Sequence, residues 1–169
     1  VEENNFSSVE NIVLPDIDGS KNRRDIRIPL LIDYIKICKK YCKKCVLELK
    51  NSFSEEDIRI IIEEIRSEEY IENVIFISFI WENCTAVRRL LPQNEVQWLS
   101  WEKVTDETVK SLSDNGIDLD IAYNVLTKEI IDKLHSNKIK INCWTCDNKD
   151  DAERLVQMGV DFITTNILE

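Results

Sequence analysis

Cys45-Val46-Leu47-Glu48-Leu49-Lys50-Asn51-Ser52-Phe53-Ser54-Glu55-Glu56-Asp57 holds a strand, a turn and a helix start in one short stretch. Cys45–Lys50 reads as a short strand. Ser54 reads as an N-cap, because its hydroxyl can accept from the first free amides while Glu55, Glu56 and Asp57 favour the positive end of the helix. Ile58–Arg66 continues that helix. The turn between them, Asn51-Ser52-Phe53, contains no glycine. An open doubly wound sheet often carries a glycine-rich phosphate loop after its first strand. Its absence favours the other way of closing a parallel sheet, a (β/α) barrel.

The same alternation runs outward from this stretch. Upstream, Pro29–Lys44 has apolar residues at Leu31, Tyr34, Ile35, Cys38 and Cys42, an amphipathic helix opened by proline. Downstream, strands are read at Asn73–Phe79, Glu95–Leu99, Ile117–Ala122, Lys138–Trp144 and Val160–Thr164. The helices between them are Trp81–Leu91, Thr105–Ser113, Thr127–Ser136 and Asn148–Met158, the last ended by Gly159. Strict alternation implies a parallel sheet with helices outside it. A complete barrel has eight strands and usually about 200 residues or more. The expected fold is therefore α/β and TIM-barrel-like, an incomplete or rearranged barrel with about six of the eight units. Residues 1–28 are polar and irregular and include a short basic cluster, Lys21–Arg27, read as a solvated loop. The barrel domain is assigned to residues 29–169.

Composition narrows the function. The chain has 169 residues, and 43% hydrophobic content is enough to build a core at that length. Acidic residues number 32 and basic ones 22, a formal charge of −10 that opposes binding to a phosphate backbone. The longest apolar run, Val74–Trp81, is interrupted by Ser78, so no membrane span is expected. Val1-Glu2-Glu3-Asn4-Asn5 has neither the basic end nor the apolar stretch of a signal peptide. The first residue is not Met, which gives the expectation of a processed or truncated piece.

Six cysteines include two C-x-x-C pairs, Cys42–Cys45 and Cys143–Cys146. One reading is a four-thiolate zinc site. The other is thiols used as small apolar side chains, with Cys38, Cys42 and Cys45 on the buried face of one helix. Local geometry favours the second, because Cys143 and Cys146 lie at a strand end with no Gly or Pro to make a zinc knuckle. Thiols without a secretory signal fit a reducing, cytoplasmic setting.

Active sites of parallel α/β folds lie at the C-terminal ends of the strands. There Val46, Glu48 and Lys50 share one face by the two-residue period. A carboxylate and an amine two residues apart can hold a cation and an anion side by side, or form a solvent-facing salt pair. Asn142 and Trp144 share a face at the end of another strand, where Trp144 can wall a pocket or belong to the core. Other strand ends carry Ser78-Phe79, Trp98, Ser100, Trp101 and Thr164-Thr165-Asn166. The only histidine, His135, lies in a helix away from any strand end. Neither a histidine pair nor a Ser-His-Asp set can be built from these residues.

Five segments in order, CVLELK (Cys45–Lys50), VIFISF (Val74–Phe79), LTKEI (Leu126–Ile130), KINCWT (Lys140–Thr145) and GVDFITT (Gly159–Thr165), resemble the glycerophosphodiester phosphodiesterase family. Ile28-Pro29-Leu30 is similar to the family's I-P-T-L helix start. The resemblance covers about residues 28–169. It implies a TIM barrel that hydrolyses glycerophosphodiesters, such as deacylated phospholipids, to glycerol 3-phosphate and an alcohol, within lipid and glycerol metabolism. It also implies a divalent cation, Mg²⁺ or Ca²⁺, held by three carboxylates, with two histidines as acid and base.

Carried over residue by residue, Glu48 matches a metal carboxylate, Lys50 the lysine that meets the substrate phosphate, and Trp144 the aromatic wall near the glycerol. The family's H-R-G, E-x-D and H-D motifs are missing, so no catalytic residue is assigned in this chain. Cys146 and Asn166 also depart from the usual pattern. The resemblance therefore implies a chain inactive alone, either a fragment of an ordinary enzyme or a degenerate barrel acting as a binding or assembly module. A zinc-binding α/β protein is the more distant alternative. The fragment reading predicts an apolar edge beside Cys45–Lys50, where a second copy or the missing segment would sit.

Overall fold

The computed structural model describes residues 4–167. The reading of the N-terminus as not a signal peptide extends to residues 1–3, which lie outside the described residues. The chain divides into two compact units, 1–42 and 43–169.

In the first unit, Asn5 caps the single turn of α1 (Phe6–Val9), and Val13 and Arg27 form an isolated antiparallel bridge. Two arginines of the basic cluster are engaged by neighbouring groups. Arg23 pairs with Asp25 at 2.5 Å, and Arg27 donates to the Glu10 carbonyl and the Asn11 side chain. Helix α2 covers Leu31–Lys40. It stops short of the expected Lys44, and this corrects the cysteine reading. Cys42 is exposed and takes a left-handed backbone, φ 50°, which no helix continues through. Of the three cysteines expected on one helix face, only Cys38 lies in the helix.

The second unit alternates strand and helix throughout. Its elements are β1 (Cys45–Glu48), α3 (Glu55–Ser67), β2 (Val74–Ser78), α4 (Trp81–Leu90), β3 (Val96–Ser100), α5 (Asp106–Asn115), β4 (Asp118–Ala122), α6 (Lys128–Ser136), β5 (Ile141–Trp144), α7 (Lys149–Met158) and β6 (Phe162–Ile163). The helix starts are set by side-chain caps, as the sequence implies. Ser54 and Thr105 form capping boxes with Asp57 and Thr108, and Thr127 and Asn148 each accept the third amide of their helix. Gly116 and Gly159 end α5 and α7 in the left-handed conformation that only glycine adopts freely.

All six strands are parallel and stand in the order β1-β2-β3-β4-β5-β6. A doubly wound sheet reverses its strand order at a switch point. This sheet never reverses, so it is an arc of a (β/α) barrel with six strands present. Among the described residues β1 pairs only with β2, and β6 only with β5.

The register separates the two faces. Leu47, Phe76 and Val96 align in one row, and Trp98, Leu119 and Ile141 in another. These rows alternate with the inner face. The helices bring buried Ile58, Ile62, Val87, Leu112, Ile131, Leu134 and Leu155 into the core. Each such side chain contributes about 1.5–3 kcal/mol on burial. The inner face carries Glu48, Ile77, Gln97 and Asp118 in one row, and Leu99, Asp120, Asn142 and Phe162 in the next. Among the described residues no helix is long and apolar enough to cross a membrane.

Candidate functional site at the strand mouth

Parallel packing sends every strand's C-terminal end to the same side, where the inner face opens into a cavity of about 350 Å³. That volume suits a small ligand. Glu48, Lys50 and Trp144, the three positions singled out in the sequence, all line it. Val46, Ile77 and Leu99 supply apolar wall.

Lys50 is held through its backbone. Leu49 continues the ladder beyond β1 by donating to the Ile77 carbonyl at 2.9 Å. Buried Ser78 donates to the Leu49 carbonyl at 2.6 Å. Buried Asn83, from α4, donates to the Asn51 carbonyl at 2.7 Å and accepts from the Phe53 amide at 3.1 Å. A glycine-free turn is thus fixed by side chains of the neighbouring unit. The Lys50 side chain is 76% exposed and that of Glu48 29%, and their charged ends are 3.7 Å apart. A pair this wet contributes under about 1 kcal/mol, so it does not compete strongly with an incoming anion.

Trp144 ends β5. Its indole N–H donates to the Asp120 carbonyl at 3.3 Å, and its ring meets Phe79 edge-on at 5.8 Å. Phe79 in turn packs against Trp101 at 4.8 Å. Offset and edge-on aromatic pairs add about 0.5–1.5 kcal/mol beyond their area.

Asp120 was missed in the sequence. It is only 2% exposed and lines the same cavity. Burial pushes its carboxyl up to about 7; a hydrogen bond from Asn142 opposes this and the negative charge of Glu48 adds to it. Its Oδ1 has no hydrogen-bond partner. The signal was present: in Asp118-Leu119-Asp120-Ile121-Ala122 the aspartates alternate with the apolar residues. A parallel strand covered on both faces cannot send such a carboxylate to water.

His135 is placed elsewhere. Its Nε2 lies 3.0 Å from Asp161, which also accepts from the Ile141 amide. That pair sits at the N-terminal ends of β5 and β6, opposite the mouth. Cys143 and Cys146 are buried and Cys42 is exposed, and none of the six cysteines forms a disulfide. Burial pushes the Cys143 thiol up to about 12. Among the described residues no three of His, Cys, Asp or Glu come together so as to hold a metal ion. A four-thiolate centre is thus not assembled, and neither is a three-carboxylate cage.

A singly wound parallel arc of this kind defines a TIM-barrel-type α/β protein. Residues 25–169 match the Glycerophosphoryl diester phosphodiesterase family, and the chain belongs to it. It is 26% identical over 149 residues to the protein YqiK of Bacillus subtilis, covering 86% of this chain and 61% of that protein. It is 26% identical over 106 residues to a glycerophosphodiester phosphodiesterase of Caldanaerobacter subterraneus, covering 63% and 44%. A crystal structure of a glycerophosphodiester phosphodiesterase from Parabacteroides distasonis superimposes with a TM-score of 0.78 at 26% identity, over 95% of this chain and 66% of that one. The chain thus spans less than two thirds of the length of each of these three relatives.

Proposed function

We propose that this chain is the substrate-gripping part of a divalent-metal-dependent glycerophosphodiester phosphodiesterase, cleaving its substrate to glycerol 3-phosphate and an alcohol. The observation that carries this reading is the cavity shared by Glu48, Lys50 and Trp144 in a chain of that family. Lys50 meets the phosphate as a mobile point charge. Trp144, braced by Phe79, walls the glycerol carbons. Glu48 presents one carboxylate toward the cation, Mg²⁺ or Ca²⁺. Hard cations take six or more oxygens. The described residues do not complete that set, so the chemical step belongs to a completed barrel. No histidine stands at the mouth, so the chain alone binds and does not hydrolyse. The barrel domain is assigned to residues 29–169, and the edge of β1 is where further strands, or a second copy, would add. Six thiols outside any disulfide support a cytoplasmic setting.

The test is glycerol 3-phosphate release from glycerophosphocholine with Mg²⁺ or Ca²⁺. The chain alone should release none, and the chain preceded by the family's H-R-G, E-x-D and H-D strands should be active. Hydrolysis by the chain alone would overturn the inactivity. Continued inactivity of the extended chain, with binding retained, would make it a binding module instead.

A further inference from the structure

A second cleft opens on the other side of the sheet. Trp98 stands in the row of Leu119 and Ile141, which alternates with the inner face, and it lines a cavity of about 320 Å³ between α4 and α5. None of the six residues lining this cleft belongs to the mouth cavity. Trp81, the first residue of α4, meets Trp98 edge-on at 5.8 Å, with the ring planes 89° apart. Two indoles at a right angle make a corner, and both are half-buried rather than closed into the core. The Trp98 N–H already donates to the Phe79 carbonyl at 3.2 Å, so what that side chain offers a ligand is its ring. The face of such a ring is the negative side of its quadrupole.

Charge points the same way. Glu107 lines the cleft, and no lysine, arginine or histidine does. Asp106 beside it pairs with Lys133, whereas Glu107 forms no ion pair among the described residues. Thr108 ties its hydroxyl into the Thr105 cap, and Leu112 adds apolar wall. These features sort the possible occupants. An anion is repelled by Glu107 and by a chain of net charge −10. A neutral apolar guest covers the rings but takes water from the carboxylate and returns nothing. A metal ion needs a shell of oxygens, and a primary ammonium needs up to three acceptors; two indoles supply neither. A quaternary ammonium needs no hydrogen bond. Its methyl groups pack against the rings, while its charge is drawn to the ring faces and to the carboxylate.

We infer that the cleft between α4 and α5 is an organic-cation site, in which Trp81, Trp98 and Glu107 take a quaternary ammonium group. The site lies apart from the mouth and does not depend on the phosphate reading of Lys50.

The experiment titrates the chain with choline chloride and, separately, with its uncharged carbon isostere 3,3-dimethylbutan-1-ol, at constant ionic strength. Assigned indole N–H resonances of the four tryptophans report binding by NMR. Choline should bind about tenfold more tightly than the isostere, the size of a cation–π contact backed by one carboxylate. It should move the Trp81 and Trp98 resonances and leave that of Trp144 in place. Trp81→Leu, which keeps apolar bulk and removes the ring, should cut the preference for choline to about twofold or less. Should Trp81→Leu fail to fold, Glu107→Gln decides, since that side chain is exposed: a fall in preference of about threefold or more supports the site, and no fall overturns it. Equal binding of choline and its isostere reduces the cleft to an apolar surface and overturns the inference. A shift of Trp144 instead of Trp81 and Trp98, or a preference that survives Trp81→Leu, puts the cation elsewhere and overturns it as well. So does a chain that binds no choline.

Discussion

The two ends of the barrel arc treat polar side chains in opposite ways. At the N-terminal end, Arg88 donates to the carbonyls of Pro92, Asn94 and Gly116, tying two loops together. Glu95 pairs with Lys44 at 2.5 Å and Lys140 at 3.5 Å; burial alone would raise its carboxyl, but the two amines hold it below the usual range. His135 and Asp161 close the same end. At the C-terminal end, Lys50 and Glu48 form only a loose, wet pair, and Asp120 has an idle oxygen. One end ties its charges to loop carbonyls and ion partners, although among the described residues Arg88 Nε donates no hydrogen bond and one Glu95 oxygen accepts none, and the other end engages its charges only loosely. This is the division expected of parallel barrels, whose strand mouths carry chemistry and whose far ends carry stability.

The strongest way to break the contrast is Arg88→Ala. It removes three carbonyl contacts from partly buried loops and should destabilise the chain by about 2–4 kcal/mol, since hydrogen bonds to charged groups are worth about 1.5–3 kcal/mol each and are not additive. Urea unfolding measures it, and a loss under about 0.5 kcal/mol would end the idea of a stapled base.

The pH dependence of the mouth is the next largest effect. A carboxyl raised to about 7 when folded is destabilising once it must ionise. Its contribution is fully present below its unfolded pKa near 4 and is lost as pH rises through about 7. Asp120→Asn should therefore gain on the wild type between pH 5 and pH 8. The gain should reach about 1–3 kcal/mol, because each tenfold change in proton affinity between folded and unfolded chain is worth about 1.4 kcal/mol. Parallel stability curves for the two proteins would refute the buried-carboxyl account.

Lys50→Ala should cut glycerol 3-phosphate affinity about tenfold, equivalent to about 1.4 kcal/mol. Its unfolding midpoint should hardly move, because the side chain is exposed. A variant that lost stability and binding together would erase the distinction between the two ends. The smallest effect is expected at Lys44→Ala, about 1 kcal/mol or less, fading as salt is added.

Much of this arrangement is legible in the residues. Ser54, Thr105, Thr127 and Asn148 mark helix starts because a cap acts within a few residues. The strands emerge from short β-rich runs, and their parallel direction from the alternation with helices. Sequence reasoning fails at two places where the decisive fact is not local. Cys38, Cys42 and Cys45 have helical spacing, but Cys42 turns left-handed and frees Cys45 to open β1. Asp120 looks like the polar side of an alternating strand. The alternation and the parallel sheet already point that side inward; what is not local is that the curl of the sheet sets it near a carboxylate 72 residues earlier in the chain.

Because each strand neighbours only those adjacent in sequence, the protein has no long-range clasp joining its first repeat to its last among the described strands. Such an architecture is built like a short stack, in which every repeat leans on the one before and the one after. Unravelling can then start at either outer strand and proceed inward. Amide protons on β3 and β4 should be the last to exchange, and those on β1 and β6 the first.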